Sequence, residues 1–343
     1  MAFYRFLVVF LGLSNVVSFS MYHREFHEFK ERFNKMYKSE KDESISLMNF
    51  KDNVDRIARR NREQGSYKLG INQFSDCSFD FLKEHLLLSN FAYPEEDGEL
   101  KTWEIKTPPN GLGRKLATTD EFSGSGIQKD WRREGCVTRV KDQGSCGSCW
   151  AFSTTGALES MILIHHKKKI ELSEQELVSC SDKNYGCNGG WMHKALDYVK
   201  EKKGLFSDTD YPYLPKSKHP CRMDLLDNQR IVASGKFDYY ILPKNSIHHM
   251  QDALLINPLC IAVDADFDFI YYKEGIYDRA VVDKPSINHA VLLTGVDSSK
   301  KIWMLKNSWG IHWGENGYMN IALRDKSGVA GMNTYCIVPK YRS

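Results

Sequence analysis

The stretch from Gln143 to Ile164, QGSCGSCWAFSTTGALESMILI, holds the residues best suited to covalent chemistry. Cys149 falls where a glycine- and cysteine-rich turn gives way to an apolar run long enough for about four helical turns. A thiol at that point feels the positive end of the helix macrodipole, which favours the nucleophilic thiolate. Gly144 and Gly147 let the backbone approach a bound group and leave N–H groups free for an oxyanion. A thiol nucleophile also needs a base that takes its proton and later returns one to the leaving group. Of the eleven histidines, His289 is the candidate: Ile287-Asn288-His289-Ala290-Val291 puts it at the head of an apolar strand, where an imidazole is fixed and shielded. The Cys146-Gly147-Ser148-Cys149 spacing also permits a redox pair or half of a zinc site.

Such a site needs elements to hold it. Trp150, Ala151, Phe152, Ala157, Leu158 and Met161 to Ile164 leave little polar face, so their helix is expected to be largely buried. LSEQELVSC and WMHKALDYVKEKKG read as two more helices, the first with a capping box of Ser173 and Glu176. Beyond about Pro220 the pattern changes to strand-like runs at 259–263, 290–293 and 302–305. Helices followed by strands imply an α+β architecture of two lobes, with a cleft between them as the natural ligand site. Upstream, Phe26, Phe29, Phe33 and Tyr37 share one helical face, and Leu47, Phe50, Val54 and Ile57 another, which predicts a packed helix pair. Residues from Tyr93 to Gly126 form a Pro-, Gly- and Ser-containing linker of the kind that proteases cut.

Composition narrows the class. The chain has 343 residues, 27% charged and 42% hydrophobic, enough for roughly two domains with a sizeable core. A net charge of +3 with interspersed signs argues against a nucleic-acid partner. Arg5 precedes an apolar run from Phe6 to Val17 that is too short for a membrane span and reads as a secretory signal, cut after Ser18 or Ser20. No later run is long enough to cross a membrane, so no membrane partner is expected. Secretion makes the nine cysteines candidates for disulfides, and their odd number leaves at least one thiol unpaired.

Cys146-Gly147-Ser148-Cys149-Trp150 matches the C-G-[SA]-C-[WY] signature, and the chain resembles the papain family of cysteine peptidases, in particular the cathepsin L and S group. Glu43, Phe50, Asn53, Ile57 and Asn61 match the E-R-F-N-I-N pattern of its propeptides, with Leu47 standing where that pattern has Arg. Gly70-Ile71-Asn72-Gln73-Phe74-Ser75-Asp76 matches G-x-N-x-F-x-D in full. From Trp131 onward the resemblance is continuous, through Lys306-Asn307-Ser308-Trp309-Gly310 and Trp313-Gly314. It implies a papain-like two-lobe fold, a helical lobe plus a β-barrel-like lobe, behind an N-terminal helical propeptide. The expected division is signal peptide 1–18, inhibitory propeptide and linker 19–124, and mature peptidase domain 125–343, with the maturation cut between Leu116 and Gly126.

The implied function is a secreted or endolysosomal cysteine endopeptidase, made as a latent zymogen and using an acyl-enzyme. Cys149 is the implied nucleophile and His289 the base, about 140 residues further on and within the family's range. Asn307 is the implied orienter of the imidazole, roofed by Trp309, and the Gln143 amide joins the Cys149 N–H in an oxyanion hole. The implied resting state is a thiolate–imidazolium pair, with a thiol value of about 3–4 in the family's namesake against about 8.5 for free cysteine. Gly189, Gly190, Trp191, Met192, Ala262, Ile287, Asn288 and Tyr335 map onto the substrate cleft, Tyr335 at the floor of its main pocket. The resemblance also pairs Cys146 with Cys187 and Cys180 with Cys221, while Asp283 and Ala330 take the places of a third bridge. Cys77, Cys136, Cys260 and Cys336 have no assigned partner; Cys260 and Cys336 are expected as buried thiols, with a bridge between them as the alternative. No cofactor or metal is implied. Partners are peptide or protein substrates, the chain's own propeptide and cystatin-type inhibitors. Two other readings are a thiol oxidoreductase using Cys146 and Cys149, which needs both thiols free, and a non-enzymatic binding homologue, which usually lacks the nucleophile.

Overall fold

The computed structural model describes residues 21–63, 65–88, 126–215, 220–222, 231 and 235–342. The stretch expected to be a signal sequence, and nearly all of the linker with the expected maturation cut, lie outside these residues. The described chain begins with two amphipathic helices, α1 (21–32) and α2 (Glu40–Glu63). Phe26, Phe29 and Phe50 form a small buried core between them, closed by Phe33, Tyr37, Leu47 and Val54. Leu47 thus contributes apolar packing where the family pattern has an arginine. Ile57 departs from the expected face set: α2 runs past its partner, so Ile57 joins the large core of the following domain.

The polar positions of α2 act as clamps. Asn53 donates to the carbonyls of Ser75 (3.0 Å) and Cys77 (2.9 Å). Asn61 accepts from Leu69 N (2.8 Å) and donates to Leu69 O (2.9 Å). These bonds fix β1 (Tyr67–Leu69) and the turn that follows it to the helix. Asp76 closes the turn by accepting from Lys35 (2.8 Å) and Tyr37 (3.0 Å). A short helix, α3 (Phe79–His85), follows, capped by the Ser78 hydroxyl.

The remaining elements are β2 (Gln128–Asp130), α4 (Cys149–His166), α5 (Glu174–Cys180), α6 (Met192–Glu201), β3 (Phe237–Ile241), α7 (Ile247–Leu254), β4 (Leu259–Val263), α8 (Phe267–Ile270), β5 (Tyr272–Tyr277), β6 (His289–Asp297), β7 (Ile302–Lys306), β8 (Tyr318–Ala322) and β9 (Cys336–Tyr341). The strands form one sheet in the order β1-β5-β8-β7-β6-β4-β9-β3, with β2 also on β6. β1 therefore adds an upstream strand to the downstream sheet by antiparallel pairing with β5. α4, α5 and α6 precede the strands from β3 onward, as the change of sequence period predicts, while α7 and the short α8 fall between strands.

Two cores lie on either side of β4. Leu259, Ile261 and Val263 face one, while Cys260 and Ala262 face the other with α4 and α6. Cys260 is opposite Ile337, and Ile261 is opposite Cys336. The two cysteines therefore point to opposite faces of the sheet, which excludes the bridge considered between them. Cys77, Cys136, Cys149, Cys260 and Cys336 are free, and the bridges Cys146–Cys187 and Cys180–Cys221 are formed.

α4 is buried from Cys149 to Leu163, as its lack of a polar face requires. Its one buried acid, Glu159, accepts from Lys141 (2.7 Å) and from Leu172 N (2.8 Å). Lys141 also reaches Glu174 of α5 (2.6 Å), tying the two helices together beneath the sheet. The capping box on α5 is only half formed. Ser173 accepts from Glu176 N (3.0 Å), but the Glu176 carboxylate is taken by Phe206 N (2.7 Å) and Tyr198 OH (3.1 Å). Tertiary donors outcompete the local one.

Candidate active site

The turn before α4 is held from three sides. Gln143 N donates to Ser308 O (2.8 Å), and Gly147 N to Cys187 O (2.9 Å), beside the Cys146–Cys187 bridge. The Tyr213 hydroxyl donates to Gln143 O (2.8 Å) and shares a bond with Ser148 Oγ (2.7 Å). Cys149 is the first residue of the helix and is fully buried. Its thiol faces the backbone N–H groups of Ala290, Trp150 and its own residue, each of which favours the thiolate. Ala290 is the neighbour of His289, so the start of α4 and the start of β6 meet here.

His289 Nε2 donates to Asn307 Oδ1 at 2.8 Å, and the same oxygen accepts from Ser308 N at 2.8 Å. The second bond fixes the amide so that its oxygen faces the ring, which puts the imidazole proton on Nε2. His289 Nδ1 has no hydrogen-bond partner. It is left as the basic nitrogen. Trp309 lies over the ring at 4.4 Å and 26°, and is itself fully buried. Gln143 Oε1 accepts from Ser308 Oγ (2.7 Å), which aims Nε2 of Gln143 at the other side of the turn.

That side is occupied. The segment after α3, Leu86 to Leu88, crosses the site as a strap. Gln143 Nε2 donates to Leu86 O (2.9 Å) as well as to Cys146 O (2.9 Å), and Leu88 N donates to Asn288 O (2.7 Å). Leu87 O lies 3.1 Å from where a Cβ on Gly147 would stand. Upstream, Gln73 Nε2 donates to Trp309 O (2.5 Å), Asn72 Nδ2 to Ile270 O (2.7 Å), and Phe74 packs edge-on against Trp309 (5.6 Å). The three strap leucines are buried. The run Leu86-Leu87-Leu88 was visible in the sequence, but not the surface that receives it.

Covering the pair changes its electrostatics. Burial pushes the Cys149 thiol up to about 12, against the three N–H groups that favour ionisation. Burial likewise takes His289 down to about 4, opposed by its bond to Asn307. The thiolate–imidazolium state expected from the resemblance is therefore not the state of this covered site: with water excluded, the neutral thiol and neutral imidazole are favoured.

The other anticipated residues lie along the same cleft. Gly189 has φ +113, and Leu88 Cδ2 is 3.4 Å from where its Cβ would be. Gly190 is bare for a packing reason: a Cβ would stand 2.6 Å from Asn184 Oδ1 and 2.8 Å from the Trp150 ring. Trp191, Met192, Ala262, Ile287 and Tyr335 share one buried cluster with Leu88 and Cys149. Asn288 turns its side chain away to Ala265, accepting from its N (2.8 Å). His193, Tyr213 and Ser308 were not anticipated; each acts through a partner distant in sequence. Among the described residues, no helix is long and apolar enough to cross a membrane.

Comparison with known proteins fits this geometry. A family model for papain family cysteine proteases matches residues 127–340, and one for the cathepsin propeptide inhibitor domain matches residues 26–80. A cathepsin L-like peptidase of Aedes aegypti is 34% identical, covering 97% of this chain and 98% of that protein. The thiol protease aleurain of Arabidopsis thaliana is also 34% identical, covering 95% and 87%. Among solved structures, a digestive procathepsin L2 proteinase from Tenebrio molitor larval midgut superposes with a TM-score of 0.79 at 30% identity, covering 93% of this chain and 99% of that one. A recombinant stem bromelain precursor gives a TM-score of 0.77 at 31% identity, covering 94% and 99%.

Proposed function

Because this chain belongs to the papain family of cysteine proteases, we propose that Cys149, His289, Asn307 and Gln143 are its catalytic residues. The chain is a papain-like cysteine endopeptidase made as a zymogen with a cathepsin-type propeptide. In the proposed reaction the Cys149 sulfur attacks the scissile carbonyl carbon. His289 Nδ1 holds the thiol proton and delivers it to the departing amine. A water deprotonated by the same nitrogen then splits the thioester, releasing the acid and restoring the thiol. Asn307 keeps the imidazole in the tautomer that leaves Nδ1 available, and Trp309 shields that bond. Gln143 Nε2 and the Cys149 N–H receive the oxyanion.

The observation that carries this reading is the 2.8 Å bond from His289 Nε2 to Asn307, which leaves Nδ1 without a partner beside the residue that donates to the Cys149 sulfur. The same Gln143 donor is bonded to Leu86 O, so the strap occupies the oxyanion position and latency is built into the same contact. The oxidoreductase reading needs Cys146 as a free thiol, and Cys146 is bonded to Cys187.

We assign residues 1–18 to a signal peptide, 19–124 to propeptide and linker, and 125–343 to the mature enzyme. The two family matches at 26–80 and 127–340 support that division. The gly-lined cleft between the lobes suits an extended peptide and, as a further partner, a cystatin-type inhibitor. The apolar leader and the absence of a sequon support an extracellular or endolysosomal location reached without an N-linked glycan. Mass spectrometry after treating the acid-exposed protein with a thiol-directed peptidyl epoxide tests the assignment. The expected result is one adduct, on Cys149, and a new N-terminus between Leu116 and Gly126. An adduct on another cysteine, or none, overturns it.

A further inference from the structure

Tyr213 lies between α6 and β3, outside any named element, yet its hydroxyl reaches the turn that carries the proposed oxyanion donor. Gln143 O can only accept, so the phenol proton goes to it (2.8 Å). The phenol oxygen then accepts from the Ser148 hydroxyl (2.7 Å). Ser148 occupies the N-cap of α4, directly before Cys149, but its side chain makes no cap bond to the helix. Its other contact, with Cys146 O, is long at 3.5 Å. One phenol thus joins Gln143 to the start of α4 across the turn between them. Burial raises the phenol above its ordinary value, so it stays a donor.

The segment behind the hydroxyl is itself braced. The Tyr213 ring meets Phe152, in the first turn of α4, edge-on at 4.8 Å and 80°. Tyr213 N donates to Asp208 Oδ1 (3.3 Å), and Leu214 N donates to Gln175 Oε1 of α5 (2.8 Å). Two residues before the phenol, Tyr211 O accepts from Ser173 Oγ (2.6 Å) at the start of the same helix. Pro215 packs on the turn at Gly144, where φ is +58 and a Cβ would stand 2.8 Å from the Pro215 Cβ. The other bonds of Gln143 run the opposite way, to the segment after β7: its N–H donates to Ser308 O (2.8 Å) and its Oε1 accepts from Ser308 Oγ (2.7 Å). Gln143 is therefore held between Ser308 on one side and Tyr213 on the other.

We propose that Tyr213 is a positioning residue for the oxyanion site: its hydroxyl fixes the Gln143 backbone, and with it the spacing of the Gln143 amide from the Cys149 N–H. It acts through Gln143 and touches neither substrate nor the reacting atoms. The proposal rests on the oxyanion role given to Gln143 above and adds the group that holds that donor in place. Without the hydroxyl, Gln143 keeps its hold on the Ser308 side alone and the Ser148 hydroxyl loses its acceptor. The two oxyanion donors then no longer keep one separation. Such donors act because they are fixed before the charge develops, so their misplacement costs turnover rather than substrate binding.

The test uses the matured enzyme, a fluorogenic peptide substrate and iodoacetamide. Tyr213→Phe deletes one oxygen and keeps the ring against Phe152. Its kcat should fall roughly tenfold, with KM within about twofold of the wild type. Alkylation of Cys149 by iodoacetamide builds no oxyanion on a carbonyl, so its rate should stay within about twofold. In a Gln143→Ala background, Tyr213→Phe should cost less than about twofold further, because the donor it positions is gone. Ser148→Ala removes the hydroxyl that anchors the phenol and should lower kcat roughly threefold; it decides alone if Tyr213→Phe does not fold. An unchanged kcat in the deciding variant, or an alkylation rate that falls in step with kcat, overturns the proposal. So does a second tenfold loss in the Gln143→Ala background. A Gln143→Ala enzyme with nearly wild-type kcat overturns instead the oxyanion role beneath it, and a wild type that cleaves no peptide and is not labelled at Cys149 overturns the peptidase reading.

Discussion

His289 offers a direct measure of what the strap does to the site. Consider two full-length zymogens, Cys149→Ala and Cys149→Ala combined with His289→Asn. Neither has the proposed nucleophile, so in both the propeptide stays part of the chain in acid and the comparison is made between equally uncleaved proteins. In the first, burial holds the folded imidazole at about 4, whereas an unfolded histidine protonates near 6.5. The folded value is the lower one. Its contribution to stability is therefore fully present above about 6.5 and is lost as pH falls through about 4. That displacement is worth roughly 3 kcal/mol, at about 1.36 kcal/mol per tenfold change in proton affinity. Every other titrating group is common to the two proteins, so their difference isolates this one. Urea unfolding at pH 7 and pH 4 should show the first zymogen losing roughly 3 kcal/mol more than the second. Parallel losses, within about 1 kcal/mol, would refute the claim that the covered imidazole is held neutral.

Two further outcomes follow from the contacts at the cleft. Gln143→Glu keeps the volume and the acceptor for Ser308 but replaces the N–H₂ that meets Leu86 O, so matured enzyme should lose roughly a hundredfold or more in kcat while still being labelled at Cys149; a loss under about threefold would exclude the oxyanion role. Arg60→Gln removes a fork onto buried Asp268 (2.7 Å and 3.1 Å), leaving it only Tyr67 (2.6 Å) among the described contacts. Arg60 is 39% exposed, so after discounting for solvent the zymogen should be labelled at neutral pH roughly tenfold faster, and an unchanged rate would show that this pair does not hold the propeptide.

Much of this was legible in the sequence, for identifiable reasons. An eighteen-residue helix with no polar face had to be buried, and α4 is. Turn and motif chemistry singled out Cys149 and His289, each the first residue of an element, Asn307, just past the end of β7, and Gln143, in the turn before α4, and the structure brings them together. Partners across long separations were not legible. Ser173 and Glu176 read as a capping box, yet the backbone N–H of Phe206, thirty positions on, claims the carboxylate. His193 lies in a stretch read simply as a helix, and nothing local points to its bond with Tyr335. The charge state of Cys149 and His289 under the propeptide was not legible either, for a related reason. A motif names the two groups, whereas their ionisation depends on whether Leu86 to Leu88 lie over them.

That charge state bears on how acid would mature the zymogen. Covered, the pair is thiol and imidazole; uncovered, the resemblance implies thiolate and imidazolium. Passing from one to the other moves a single proton from sulfur to nitrogen and exchanges none with solvent, so the pair itself gives uncovering no pH dependence between the values that bound it. Latency then depends on the contacts that hold the propeptide in place. Asp76 is central to them: it is 6% exposed, ties Lys35 and Tyr37 to the turn clamped by Asn53, and that turn carries Gln73 and Phe74 onto Trp309. Asp76→Asn keeps an acceptor for the Tyr37 hydroxyl but loses the charge partner of Lys35. A charge-assisted bond of this kind is worth about 1.5–3 kcal/mol, so labelling of Cys149 in the zymogen at pH 7 should rise roughly tenfold or more. Both residues lie in the region matched by the propeptide inhibitor model, so the kcat of enzyme freed of that region should be unaffected. A variant as latent as the wild type at pH 7 would remove Asp76 from the lock.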